Sequence, residues 1–405
     1  MASDALVNLV ALGPETSLVL SCATIAATPE RTARAADLAT RIASWDRVVD
    51  IAKRHAVLPL VHRYLNLECR DVVPDDALAK LRMQWQLIIL YNRHLTAELV
   101  RLMGLLEARG IPALTFKGPV LAARSYGSIE LRQFSDLDIL VRQSDLPEIA
   151  ELLTAERYRS PHARREGLAT GYFQEYEDAF IGPDGLGAVD VHWNITPRSF
   201  RFAPDEEGLW MRARAVELDS AAVMALAPED QLLYICVHGA KHGWVTLGWI
   251  CDVAETIRTH AEIDLSKVLD EATALGSRRM FLTGIYLAHE LVGAPVPGDL
   301  VAIARDDRAV AALAARIASR LFGGATEGRA DFDPWAVPLR SIQGTRARAR
   351  YLVRRILAPS MGDYQLIPLP RKLFPLYWAI RPFRMVVQYG PRLLIFRGSS
   401  NNSKA

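Results

Sequence analysis

The feature that most constrains this chain is a pair of aspartates inside a run of apolar residues. The run reads SDLDILV over residues 135–141, and its Leu, Ile and Val content is typical of a buried β-strand. Alternate residues on a strand point to one face, so Asp136 and Asp138 lie side by side. Two carboxylates on a buried face repel each other, and burying them without a partner is costly. A divalent cation is the usual remedy.

Two further signals flank this strand. Downstream, AVDVHW over residues 188–193 is a second short apolar strand with one acid, Asp190. Upstream, IPALTF over residues 111–116 predicts a strand, followed by Lys117-Gly118 and a helix over residues 119–126. Glycine lets a phosphate approach the backbone, and a helix N-terminus favours anions. Three acids on two strands therefore predict a carboxylate cage for Mg²⁺, which prefers oxygen ligands.

The hydrophobic periodicity divides the chain into four parts. Residues 1–104 are predicted to form a helical N-terminal lobe, and residues 105–200 carry the predicted strands. Residues 201–397 are predicted to be mainly helical, and residues 398–405 a disordered tail. We therefore predict an α/β (α+β) fold, in which a core with a mixed sheet is flanked by two helical lobes.

The order strand, small-residue turn, helix, Asp-x-Asp strand and later Asp strand resembles the nucleotidyltransferase superfamily of DNA polymerase β type. The usual turn there is Gly-Ser, whereas this chain has Lys117-Gly118. One branch, an uncharacterised bacterial nucleotidyltransferase family, carries a Lys-Gly turn. It resembles this chain in LTFKGPVLAARSYGSIELRQFSDLDILV over residues 114–141, in DVHW over 190–193 and in HGAKHGWVTLGWICDVA over 238–254. The similarity extends over most of the chain.

This resemblance implies a polymerase β-like core and transfer of a nucleoside monophosphate (NMP) from a nucleoside triphosphate (NTP) to an acceptor, with release of pyrophosphate. Two Mg²⁺ or Mn²⁺ ions would neutralise the attacking and leaving oxygens. We expect Asp136 and Asp138 to be catalytic ligands of both ions, and Asp190 to bind the ion that activates the acceptor hydroxyl. The acceptor would be a hydroxyl or phosphate of a small molecule, a sugar, or a peptide or protein.

Four more residues are expected to contact the nucleotide. Lys117 would add a point charge to the triphosphate, and Gly118 would open the backbone to it. Arg132 either binds triphosphate oxygens or pairs with the nearby acids. His192 shares a strand face with Asp190, so it either orients that acid, touches substrate, assists proton transfer or packs as a polar strand residue.

A downstream helix carries His238 and His242 at positions i and i+4, on one helix face. This spacing can bind Zn²⁺, with Asp252 as a candidate third ligand, but Gly239 stands where zinc proteases carry a glutamate. A polar face packed against the core is the favoured interpretation, and Trp249 is expected to pack as well.

Two other functions stay open. The same acids could transfer a glycosyl group from a sugar nucleotide to a phosphorylated acceptor, with release of a nucleoside diphosphate. A non-catalytic binding or antitoxin-like partner could also retain this fold, although three intact acids argue against a degenerate site. A nucleic-acid partner is disfavoured because the positive charge is confined to the C-terminal segment.

The charge of the chain is uneven. The net charge is +2, yet the segment from Arg340 to the end carries thirteen Lys or Arg and one acid, Asp363. The favoured interpretation is a solvated basic face, with a peripheral membrane or another anionic partner as the alternative. We find no signal peptide and no apolar run that could span a bilayer. Four scattered cysteines without a CxxC pair indicate a reduced setting, so we expect a cytoplasmic protein.

Overall fold

The computed structural model describes residues 12–160, 176–197, 200, 202, 204–219, 221–323 and 336–398, with the backbone alone from 388 to 398. A mixed sheet of six strands lies at the centre of this part of the chain. The strands are β1 (Ala113–Thr115), β2 (Asp136–Val141), β3 (Glu177–Ile181), β4 (Ala188–His192), β5 (Arg214–Leu218) and β6 (Ala221–Ala225). Their order across the sheet is β3-β4-β2-β1-β6-β5.

The sheet mixes parallel and antiparallel pairs. Strand β2 is parallel to β4, and β1 is parallel to β6. The pairs β1–β2, β3–β4 and β5–β6 are antiparallel. The predicted α/β class with a mixed sheet is therefore confirmed.

Strands β5 and β6 were not predicted, because residues 201–397 were expected to be mainly helical. Val216, Leu218 and Val223 are buried under the sheet, while Glu217 and Met224 are exposed between them. This is the period-2 pattern of a half-buried strand. Each run spans only five residues, and β6 is rich in alanine, a weak strand former, so the pattern was too short and too weak to recognise.

Along the chain, helices precede, separate and follow the strands. Those of the first half are α1 (Pro14–Cys22), α2 (Pro29–Ala39), α3 (Trp45–Arg54), α4 (Leu58–Glu68), α5 (Asp75–Ala108), α6 (Gly118–Tyr126) and α7 (Leu146–Ala155). Short 3₁₀ helices occur at Arg70–Val72 and Gln143–Asp145. The long helix α5 ends at Ala108, two residues before Gly110, and it contributes Leu99 and Leu102 to the core beneath the sheet.

The helices of the second half follow β4. They are α8 (Glu206–Arg212), α9 (Pro228–Lys241), α10 (Leu247–Thr259), α11 (Leu265–Ala274), α12 (Arg278–Val292), α13 (Gly298–Asp306), α14 (Arg308–Phe322), α15 (Ala336–Ser341), α16 (Thr345–Leu357), α17 (Met361–Leu366) and α18 (Tyr377–Gly398), with a 3₁₀ helix at Arg371–Leu376. None of the described helices combines the length and apolarity needed to cross a membrane.

Two large apolar cores hold these elements. One lies within the helices and includes most of α12, which is buried on nearly all sides. The other joins the sheet to α5 and α7. The predicted boundaries at residues 104/105 and 200/201 stay predictions. The predicted tail lies outside the described residues, except for Gly398 at the end of α18.

Candidate active site

The pairing of β2 with β4 brings the predicted acids together. In this parallel pair Asp138 is the direct partner of Asp190, and Asp136 lies two residues earlier on the same face of β2. The intervening Leu137 and Val189 turn to the opposite face and are buried in the core beneath the sheet. Alternation along two adjacent strands therefore gathers three carboxylates on one face.

Asp138 is the most enclosed of the three acids, at 1% exposure. Its Oδ1 atom lies 2.7 Å from Nζ of Lys117 and 2.9 Å from Nε2 of His192. Its Oδ2 atom is buried and has no hydrogen-bond partner within the described residues. Asp138, Asp190 and His192 each offer one ligand atom, and these atoms lie within 4.8 Å of one another. This arrangement can hold a metal ion.

The charges around Asp138 set its ionisation. Burial alone would raise the pKa of this carboxyl, but the charge of Lys117 and contact with His192 bring it well below its ordinary value. Burial alone would lower the pKa of Lys117, but the charge of Asp138 raises it above its ordinary value. Both groups are therefore held in their charged forms.

The other two acids behave differently. Burial, reinforced by the negative charge of Asp138, raises the pKa of Asp136. The same two causes raise the pKa of Asp190 to about 6. The negative charges of Asp136 and Asp190 are thus less stabilised by neighbouring groups than the charge of Asp138. A bound cation would stabilise them.

The Lys117-Gly118 turn lies against the Asp-x-Asp strand. Gly118 begins α6 with a φ of +55°, a conformation that side chains rarely adopt. A Cβ atom there would lie 3.2 Å from the backbone oxygen of Asp136. Glycine is required for both reasons, and its absent side chain leaves the first turn of α6 open toward the acids.

Arg132 pairs with an acid, but the acid comes from α10. Its Nε and Nη2 atoms donate to the two carboxylate oxygens of Asp252 at 2.7 and 2.9 Å. Tyr126 also donates to Asp252, at 2.7 Å. The remaining Nη1 atom of Arg132 is buried without a hydrogen-bond partner within the described residues. Asp252 is thus engaged by two residues and is not free to join a zinc site.

His192 contacts Asp138 and not Asp190, although orienting Asp190 was one of its predicted alternatives. Its ring is 2% exposed and packs edge-on against Phe116, with 5.0 Å between ring centroids. Its Nδ1 atom lies 3.4 Å from Oε2 of Glu177 on β3. The residue is therefore both packed and in contact with the acids.

A cleft of about 330 Å³ opens over these residues. It is lined by all seven predicted site residues, Lys117, Gly118, Arg132, Asp136, Asp138, Asp190 and His192. The other lining residues are Ala56, Gln133, Phe134, Ser135, Glu177, His238, Lys241, His242 and Trp249. Residues that precede the first strand of the sheet and residues that follow its last strand thus meet at one site.

Helices α9 and α10 form one wall of this cleft. The rings of His238 and His242 are 4.5 Å apart, and Trp249 lies 5.2 and 5.6 Å from them. Burial lowers the pKa of His242 to about 3 and that of His238 well below its ordinary value. Burial also lowers the pKa of Lys241 to about 8. Among the described residues these histidines belong to no group of three metal-ligating side chains.

Sequence reasoning did not name Glu177 or Lys241, and it gave Trp249 and Asp252 roles outside this site. Glu177, Lys241 and Trp249 line the cleft, and Asp252 holds Arg132. Three of them fall within the segment HGAKHGWVTLGWICDVA, whose resemblance to the bacterial family was the available signal. Glu177 carried no signal, because its role depends on the pairing of β3 with β4.

The geometry and a family comparison point the same way. The model of an uncharacterised nucleotidyltransferase family matches residues 42–293, which is more than half of the chain. The chain therefore belongs to this family of nucleotidyltransferases, and the resemblance seen in the sequence is confirmed. Its relation to the DNA polymerase β type stays a prediction. No curated protein matches the chain significantly.

Proposed function

We propose that this protein is a Mg²⁺-dependent nucleotidyltransferase that moves an NMP group from an NTP to a hydroxyl or phosphate acceptor. The observation that carries the proposal is the register of β2 and β4, which sets Asp138 beside Asp190 with Asp136 on the same face. The cleft above them also contains the Lys117-Gly118 turn. Membership of a nucleotidyltransferase family supports the same reaction class.

The residues fit a magnesium ion. Carboxylate oxygens are the ligands that Mg²⁺ prefers, and Oδ2 of Asp138 is buried with no other partner among the described residues. Asp136 and Asp138 would hold two ions, and Asp190 would hold one of them. When bound, such ions neutralise charge on the attacking and leaving oxygens. His192 adds an imidazole nitrogen to the set, which Mn²⁺ accepts more readily than Mg²⁺.

The chain's cations supply the phosphate contacts in this proposal. Lys117 lines the cleft beside the open first turn of α6, where a helix N-terminus and an ammonium group both favour an anion. Arg132 is held on one side by Asp252, and its Nη1 atom is left to donate to a phosphate oxygen. The wall of His238, Lys241, His242 and Trp249 would face the nucleoside or the acceptor.

The metal site can be tested without knowing the acceptor. Mn²⁺ is titrated into the full-length protein, and the free ion is followed by electron paramagnetic resonance. We expect Asp138→Asn to weaken Mn²⁺ binding by at least about tenfold, because a ligand charge is lost. Glu148→Gln removes an exposed acid of α7 and should change nothing. Equal Mn²⁺ binding by wild type and Asp138→Asn would contradict the proposed site.

The products separate this reaction from the glycosyl-transfer alternative. A panel of labelled NTPs and sugar nucleotides is incubated with the protein, Mg²⁺ or Mn²⁺ and a cell extract as the source of acceptor. Pyrophosphate release from an NTP supports nucleotidyl transfer. Release of a nucleoside diphosphate from a sugar nucleotide would instead indicate glycosyl transfer. No turnover of any donor would favour the non-catalytic binding partner.

A further inference from the structure

The basic C-terminal segment folds into an ordered helical module, which we define as residues 345–387. It comprises α16, α17, the last 3₁₀ helix and the first half of α18. Phe374 and Tyr377 form a small apolar core of their own. None of the residues that line the active-site cleft belongs to this module.

The one acid of the module is used internally. Asp363 is fully buried, and its Oδ1 atom lies 2.6 Å from Nε of Arg384. Its Oδ2 atom accepts hydrogen bonds from the backbone and hydroxyl of Ser360, and Arg381 lies 3.5 Å away. Arg381 and Arg384 thus engage Asp363 inside the module, and residues 345–387 contain no other acid.

The surface of the module carries both cations and apolar side chains. Its exposed cations are Arg346, Arg350, Arg354, Arg355, Arg371 and Lys372. Seven of its large apolar side chains are 50% to 73% exposed, namely Val353, Leu366, Leu376, Trp378, Phe383, Val386 and Val387. On α18, Phe383, Val386 and Val387 are spaced i, i+3 and i+4, so they share one helix face.

We propose that this module docks the protein on the surface of an anionic lipid bilayer. Exposed Lys and Arg are attracted to anionic headgroups, while aliphatic and aromatic side chains enter the boundary between headgroups and acyl chains. The docking is peripheral, since none of the described helices could span the bilayer. The proposal does not depend on the reaction assigned to the cleft.

The apolar side chains favour lipid over nucleic acid as the partner. A nucleic acid would use the cations, and its bases would stack on aromatic rings. Five of these seven apolar residues are aliphatic and offer nothing to stack on. Lipid uses both kinds of side chain.

Vesicle flotation of the full-length protein tests the docking. The vesicles are phosphatidylcholine alone or phosphatidylcholine with phosphatidylglycerol. We expect binding to the anionic vesicles, weakened by added salt because salt screens exposed charges. Arg350→Glu with Arg354→Glu should weaken this binding by about tenfold or more. Arg47→Glu with Arg82→Glu makes the same change in net charge on α3 and α5 and should leave it unchanged.

A second pair of variants tests the apolar contribution. Phe383→Ser with Val387→Ser should weaken binding to anionic vesicles, whereas Met83→Ser with Leu90→Ser, both exposed on α5, should not. Thermal melting confirms that each variant is folded. The proposal is overturned if wild type binds neither vesicle, if it binds both equally, or if either module variant binds as wild type does. Tighter binding to a labelled RNA oligomer than to anionic vesicles would assign the surface to nucleic acid.

Discussion

Asp138 and Asp190 are neighbours in the sheet, yet their surroundings shift the pKa values of the two carboxyl groups in opposite directions. Asp138 is compensated by Lys117 and His192, and its pKa lies well below the ordinary value. Burial and the charge of Asp138 raise the pKa of Asp190 to about 6. A carboxylate whose charge is disfavoured in the folded chain is a feature of sites built for a ligand.

This contrast predicts opposite effects on stability in metal-free buffer at pH 7. Asp138→Asn leaves the Lys117 ammonium buried without its partner, so it should destabilise the protein by about 3 kcal/mol or more. Asp190→Asn removes a disfavoured charge, so it should leave stability unchanged or raise it by about 1–3 kcal/mol. Urea denaturation of the three proteins measures both changes. Equal destabilisation by the two substitutions would contradict the assigned electrostatics.

The ion pair between Arg132 and Asp252 leads to a second prediction about single residues. Asp252→Asn removes the charge that holds Arg132, whose side chain is only 12% exposed, so it should lower stability by about 3–5 kcal/mol. Tyr126→Phe removes a single hydrogen bond to Asp252 and should lower it by about 1 kcal/mol. Arg132 stays fixed in the second variant, so binding of a non-hydrolysable NTP with Mg²⁺ should weaken only in Asp252→Asn. Loss of NTP binding in Tyr126→Phe to the same extent would show that the ion pair does not position Arg132.

At the scale of elements, the end of α3 is joined to the beginning of α10. The backbone oxygen of His55 accepts hydrogen bonds from the amide of Gly248 at 2.9 Å and the hydroxyl of Thr246 at 2.6 Å. Its Nδ1 atom accepts from the amide of Leu247 at 3.4 Å. Burial, with a smaller effect of the Arg54 charge, lowers the pKa of His55 to about 4.

This junction predicts a dependence of stability on pH. His55 takes up a proton near pH 6.5 when unfolded, but near pH 4 when folded, so protons favour the unfolded chain between these values. Stability should therefore fall as pH falls from about 6.5 to about 4, by at most roughly 3 kcal/mol from this group. Denaturation at several pH values compares wild type with His55→Gln, whose loss over that range should be smaller. Identical pH profiles would refute the assignment.

The sequence indicated the local elements of the site better than their assembly. Strands β2 and β4 and helix α6 were predicted within about two residues of their observed ends, because each has a strong pattern and a clear boundary signal. The shared face of Asp136 and Asp138 follows from strand alternation alone. The register that adds Asp190 follows from tertiary packing, which no local pattern encodes.

The same limit explains what the sequence did not predict. Arg132 and Asp252 are 120 positions apart, and their pairing depends on how α10 packs beside the sheet. Strands β5 and β6 are short, β6 is rich in alanine, and the pair joins the rest of the sheet through the parallel contact of β6 with β1. In both cases long-range packing overrides a weak local preference.

At the scale of the whole molecule, an acidic body carries a basic C-terminal module. The last 66 residues hold thirteen of the 48 Lys and Arg residues and one of the 46 acids. The candidate active-site cleft lies on the body, and the proposed lipid-docking surface lies on the module. If both proposals hold, the enzyme would meet its acceptor at or near an anionic membrane surface.

The fate of the NTP phosphates tests the central claim most directly. The protein is incubated with Mg²⁺, a cell extract as the acceptor source, and NTP labelled at the α- or the γ-phosphorus. We predict that α-label enters a new product while γ-label leaves as pyrophosphate, and that Asp138→Asn abolishes both. Transfer of γ-label to the product would show phosphoryl transfer instead, and α-label incorporation by Asp138→Asn at the wild-type rate would contradict the role assigned to the paired aspartates.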